Sequence, residues 1–159
     1  IYKKVYEMKR KWSTKLNICI FYTDMNITDT FFQNNNNIKY LKFGSQVTGI
    51  FGDKNNGSFK GCYFLSYVSI PSTVTFIGEN AFRKCPSLTH VFIPSSVTMI
   101  KSNAFRDCIS LSQVTFPPSI KSIGPWAFYN CPSLLNVEIP SLASIGYDAF
   151  PVNTKVTKI

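Results

Sequence analysis

Residues 74–94 read VTFIGENAFRKCPSLTHVFIP, and the same string recurs at 97–117 as VTMIKSNAFRDCISLSQVTFP and at 120–140 as IKSIGPWAFYNCPSLLNVEIP. The three align without gaps as V-x-x-I-x-x-x-A-F-x-x-C-x-S-L-x-x-V-x-I-P, each beginning 23 residues after the last. Cys85, Cys108 and Cys131 keep that step, as do Phe82, Phe105 and Phe128. A fixed period of this length marks a chain built from stacked supersecondary units.

Weaker copies extend the period both ways. Phe59, Cys62, Leu65, Val68, Ile70 and Pro71 precede their counterparts by one step. The stretch GIFGDKNNGSF between Gly49 and Phe59 is longer than its later mates, and its Gly, Asn and Asp content reads as a surface loop. Earlier still, Phe32, Ile38, Leu41 and Phe43 keep the spacing, with Asn35 at the cysteine position and Ile27 upstream. Ile18 and Ile20 keep only the strand spacing. At the far end LASIGYDAF repeats after one deletion, followed by Val156 and Ile159 without a cysteine.

The spacing has a direct physical reading. In V-x-I, Val91 and Ile93 fall on one side of a short strand, and Pro94 ends it because proline donates no ladder hydrogen bond. Ile77, Ala81, Phe82 and Cys85 lie three to four apart, which predicts one or two helical turns. One unit cannot bury its own apolar face, whereas stacked units bury it in parallel ladders and columns of identical side chains. The expected fold is therefore a single α/β repeat solenoid over 1–159, with short parallel strands on one face and short helical turns on the other. Within it, 1–26 is a basic N-terminal segment or cap, 27–150 are repeats, and 151–159 is a last strand or C-terminal cap.

The unit resembles the BspA-like leucine-rich repeat, whose consensus runs I-P-x-S-V-T-x-I-G-x-x-A-F-x-x-C-x-x-L-x-x-V-x, over roughly Phe31 to Phe150. That resemblance implies a leucine-rich-repeat solenoid from the bacterial and protist type of protein, many of them exposed at the cell surface and associated with adhesion or host interaction, others intracellular scaffolds. The Asn34–Asn37 run and the wealth of Lys and Asn fit an AT-rich protist source.

Composition narrows the function. Of the formal charge of +9, a net +5 falls in residues 1–15, from Lys3, Lys4, Lys9, Arg10, Lys11 and Lys15 against Glu7. The remaining chain is near neutral, which disfavours nucleic acid as a ligand of the repeats. The basic segment is a place for contact with acidic protein, anionic lipid or RNA, or else a solvated tail or a helix capping the first repeat. No run approaches the roughly 18 apolar residues of a membrane span. The chain begins at Ile1, so a preceding segment is expected.

Four of the five cysteines occupy one repeat position, which accounts for them as buried thiols packed like small hydrophobes. Zinc sites place ligand pairs two to four residues apart, and here the closest pair is 23 apart. Stacked unpaired thiols favour an intracellular, reducing location, with the cell surface as the alternative. Asn26-Ile-Thr28 and Asn56-Gly-Ser58 match the glycosylation pattern that the alternative would need. Cys19, between Ile18 and Ile20, is expected to face outward.

His90 is the chain's single histidine, and its repeat mates Tyr40, Tyr67, Gln113 and Asn136 define a solvent-facing column rather than a catalytic site. No phosphate-loop, dinucleotide or nucleophile-elbow motif occurs, so no enzyme, cofactor, metal or small-molecule substrate is expected. Binding is expected on the strand face, through Tyr40, Tyr67, His90, Gln113 and Asn136 in one column and Lys42, Phe92, Thr115 and Glu138 in the next, with Ser69 between Lys42 and Phe92. Tyr40, Tyr67, His90 and Phe92 form an aromatic patch suited to a protein or peptide partner. Arg83, Lys84, Arg106, Asp107, Tyr129 and Asn130, on the other edge, read as a solvated face. The function expected is a non-catalytic protein-binding or structural scaffold module, with cell-surface adhesion or a place in a large intracellular assembly as alternatives.

Overall fold

The computed structural model describes residues 18–21 and 32–159. Eleven short strands follow one another: β1 (Ile18–Phe21), β2 (Tyr40–Phe43), β3 (Tyr67–Ser69), β4 (Phe76–Ile77), β5 (His90–Phe92), β6 (Met99–Ile100), β7 (Gln113–Thr115), β8 (Ser122–Ile123), β9 (Asn136–Ile139), β10 (Ser144–Ile145) and β11 (Lys155–Lys158). Every ladder between them is parallel. One sheet has the order β1-β2-β3-β5-β7, a second the order β10-β8-β6-β4, and β11 pairs with β9. The chain thus winds round a core as a parallel-strand solenoid, with strands of successive units stacked in parallel on two sides.

The core is a set of columns. Phe32, Phe59, Phe82, Phe105, Phe128 and Phe150 stack face to face, with centroids 5.2 to 5.5 Å apart and planes within 12° of parallel. Offset stacking at this distance is the favoured arrangement for aromatic rings. Val91 and Ile93 are both buried, as the strand pattern requires, while His90 and Phe92 point to solvent.

Between the two sheets the chain makes tight turns where the sequence spacing predicts a helical turn. Asn80, Lys84, Asn103, Asp107, Trp126 and Asn130 all have φ between 55° and 64°, a left-handed conformation that interrupts a helix. Gly61, at φ 75°, holds the position that Lys84 holds in the following unit. Backbone hydrogen bonds here alternate in direction. Ala81 and Arg83 donate within their unit, to Gly78 and Asn80, whereas Phe82 and Lys84 donate to Ala104 and Arg106 of the next. A helix would keep all four bonds local; this arrangement spends half of them on joining neighbours.

The helix-like spacing of Val74, Ile77, Ala81 and Phe82 arises because the chain wraps once round a common core and turns inward at each side. Ile77 lies in β4 and pairs with Ile100. The second sheet escapes a periodicity argument because strands of two residues are too short to alternate.

The cysteines join the same network. The Sγ of Cys62, Cys85, Cys108 and Cys131 donates to the carbonyl oxygen of Phe32, Phe59, Phe82 and Phe105 respectively, at 3.1 to 3.2 Å. A small, weakly donating side chain suits a site that must be apolar in bulk yet reach one carbonyl.

In β1, Cys19 takes the register position of Leu41, while Ile18 and Ile20 take those of Tyr40 and Lys42. Which face the Cys19 side chain takes lies outside the described residues. The I-x-I spacing alone does not say which set of alternate residues faces the core.

Phe105→Ala is expected to cost about 3–5 kcal/mol, because it opens a cavity between two stacked rings. Phe92→Ala, on the solvent side, should stay within about 0.5 kcal/mol of the parent. Urea unfolding of both variants checks the pair, and equal losses would contradict the stacked core.

Candidate partner-binding face

The parallel register turns the repeat positions into straight rows across the strands. Tyr40 pairs with Tyr67, Tyr67 with His90, and His90 with Gln113. Two residues along each strand, Lys42 pairs with Ser69 and Phe92 with Thr115. Asn136 and Glu138 on β9 face Lys155 and Thr157 of β11. The rows foreseen from the sequence therefore exist as neighbours in space, although β9 pairs with β11 in a ladder separate from that of β1 to β7.

Within these rows two side chains stand out by exposure. Tyr67 is 53% exposed, between Tyr40 and His90. Phe92 is 66% exposed, and the small side chains of Ser69 and Thr115 flank its row. His90 meets Thr89 Oγ1 through Nδ1 at 2.9 Å, a contact that holds the ring and builds no catalytic relay.

At the edge where the chain enters the strands lies a notch of about 390 Å³ lined by Asn36, Asn37, Lys39, Phe64, Ser66 and Ser87. Phe64 is 60% exposed there. Lys39 immediately precedes Tyr40, and its ammonium sits 5.5 Å from the centre of that ring. The sequence reading overlooked this notch. The signal lay in departures from the repeat: Phe64 replaces the serine of Ser87, Ser110 and Ser133, and Lys39 stands in a column otherwise filled by Ser66, Thr89, Ser112 and Leu135.

The turn edge carries its own ordered charges. Arg83 and Arg106 each bring Nε to 3.7 Å from the same Asp107 oxygen, and their Nη1 atoms donate to Asn80 and Asn103. Arg106 also lies 5.0 Å over the Tyr129 ring, and Asn130 donates to the other Asp107 oxygen. Burial, with Arg83 and Lys84 nearby, holds the Lys60 ammonium below its ordinary pKa. Backbone N–H groups of Asn55 and Asn56 hold the Asp53 carboxyl below its own. The Nε atoms of Arg83 and Arg106 are buried and face Asp107 at ion-pair distance without a hydrogen-bond partner.

Cys85, Cys108 and Cys131 are free thiols buried in the core. Burial pushes the Cys108 thiol well above its ordinary pKa, and Cys131 is raised for the same reason, with Cys108 adding to it. Such thiols are poor nucleophiles and poor metal ligands. Among the described residues no three His, Cys, Asp or Glu side chains come together to hold a metal, and no helix is long and apolar enough to cross a membrane. Lys3, Lys4, Lys9, Arg10 and Lys11, with Ile27 and the Asn26 sequon, lie outside the described residues.

Residues 25–157 match the model of the BspA type leucine rich repeat region, in six copies. The chain belongs to that family. Among solved structures, this leucine-rich repeat chain is similar to a leucine-rich repeat protein from Bacteroides ovatus, with 26% identity over 80% of this chain and a TM-score of 0.70. It is also similar in fold to a leucine-rich repeat protein of T. pallidum, with 23% identity over 80% of this chain and a TM-score of 0.53. The leucine-rich repeat chain spans 33% of the length of the first protein and 66% of the second. None of the curated proteins is significantly similar to it. Leucine-rich repeat proteins of this kind commonly serve as surface or protein-interaction modules.

The raised thiols give this leucine-rich repeat a pH dependence of known sign. An unfolded thiol ionises near pH 8.5, whereas Cys108 and Cys131 keep their protons in the fold. Their contribution to stability is full below about pH 8.5 and declines as pH rises toward the folded values. Thermal melts at about pH 7.5 and about pH 10 are expected to show a smaller drop for a Cys108→Ser, Cys131→Ser double variant than for the parent. Equal drops would remove the thiols as the cause.

Proposed function

We propose that this domain is a non-catalytic protein-binding module that engages its partner through the strand face. The observation that carries the reading is the exposure of Tyr67 and Phe92 on a face whose other members are mostly small or polar. Aromatic side chains bury much area on binding at little entropic cost, and interface hot spots are enriched in them. The face is rigid, since each strand is tied to its neighbours by backbone hydrogen bonds, so docking orders little. Beside that face, the lone histidine contacts a neighbouring threonine, and the Cys108 and Cys131 thiols are buried and raised in pKa.

The test is a Tyr67→Ala, Phe92→Ala double variant. Partners captured by the parent domain, once identified by mass spectrometry, should bind the variant at least about tenfold more weakly. The urea midpoint should remain close to the parent's. An unchanged affinity for the same partners would refute the strand face as the binding surface.

A further inference from the structure

The strand face is chemically lopsided, and this points to a class of partner. Among the described residues, the charged side chains in its first half are Lys39 and Lys42, one lining the notch and the other in the Phe92 row. Glu138, on β9, is the first carboxylate met along the described rows. Asp53 lies in the loop beyond the second sheet, and Glu79, Asp107 and Asp148 lie at the turns, so none of them neutralises these lysines.

We propose that the notch and the adjoining strand face accept an extended acidic–apolar segment of a partner protein, with a carboxylate against Lys39 or Lys42 and an apolar side chain on Tyr67 and Phe92. This rests on the strand-face reading and adds the partner's chemistry to it.

The geometry sets a spacing. Lys42, Ser69 and Phe92 occupy one row on consecutive strands β2, β3 and β5. Neighbouring strands lie about 4.8 Å apart, so Lys42 and Phe92 are separated by roughly 10 Å across the sheet. An extended chain rises about 3.3 Å per residue and turns alternate side chains to one face, so an acidic and an apolar residue two positions apart face the sheet together about 6.6 Å from each other, and the long Lys42 side chain spans the remaining few ångströms. At the notch end, Lys39 lines the cavity together with Asn36, Asn37 and Phe64, residue types that offer donors to a carboxylate and an apolar wall beside it. Lys39 is the cationic residue among those lining the notch, and the Ser66 hydroxyl donates to its backbone carbonyl oxygen.

The experiment uses the full chain and three short fluorescein-labelled peptides in fluorescence anisotropy. One carries glutamate two positions from leucine on a serine–glutamine background. The second has lysine for glutamate, and the third has serine for leucine. The first should bind about tenfold more tightly than either control, and its affinity should fall as salt is raised. Lys39→Glu with Lys42→Glu should invert the preference toward the lysine peptide.

Equal binding of the glutamate and lysine peptides would overturn the acidic assignment. If Tyr67→Ala with Phe92→Ala then abolished both, the strand face itself would stand. Binding of the glutamate–leucine peptide that survives the Tyr67 and Phe92 replacements would overturn both readings. A failure of all three peptides to bind also counts against the acidic segment.

Discussion

Everything in this solenoid depends on how each unit is bonded to the next at the core phenylalanine. The Phe82 N–H donates forward to Ala104, and the Phe82 carbonyl accepts from the Cys108 thiol of the following unit. Its ring lies between those of Phe59 and Phe105. One residue therefore carries a backbone bond, a side-chain bond and two ring contacts, all directed along the stack. Since neighbouring units repeat this, the inter-unit distance is uniform, and the strands on either side are brought into parallel register by the same spacing.

A stack so constrained leaves its outer positions at liberty. The strand rows hold tyrosine, histidine, glutamine and asparagine in one file, and lysine, serine, phenylalanine, threonine and glutamate in the next. None of these choices disturbs the core. The aromatic and cationic members gather in the early units, which gives the face a polarity of its own along the stack. At the opposite end, Lys158 takes the register position next to Ile139, and its ammonium donates to the Ser141 and Ala143 carbonyls.

The repeat positions were legible because the same physical demand recurs at each. Phe, Cys, Leu and Val appear wherever a side chain must fill the interior, and the period follows from the length of one circuit. Less of the site could be read. Tyr67 and Phe92 were visible as outward members of strand columns, but the Lys39 and Phe64 notch was not, since it forms between loops of successive units. The turns were misread for a related reason: an inward residue every three or four positions is common to a helix and to a chain circling a core.

By itself, the sequence determined the period, the identity of the core columns and the solenoid class, because each depends on residue type at a recurring position. The tertiary structure decided what depends on neighbours: the second sheet and the left-handed turns that send alternate bonds to the next unit. It also decided which exposed side chains share a surface. Those features are set by register between units, and register is a relation between distant residues that no single stretch of chain contains.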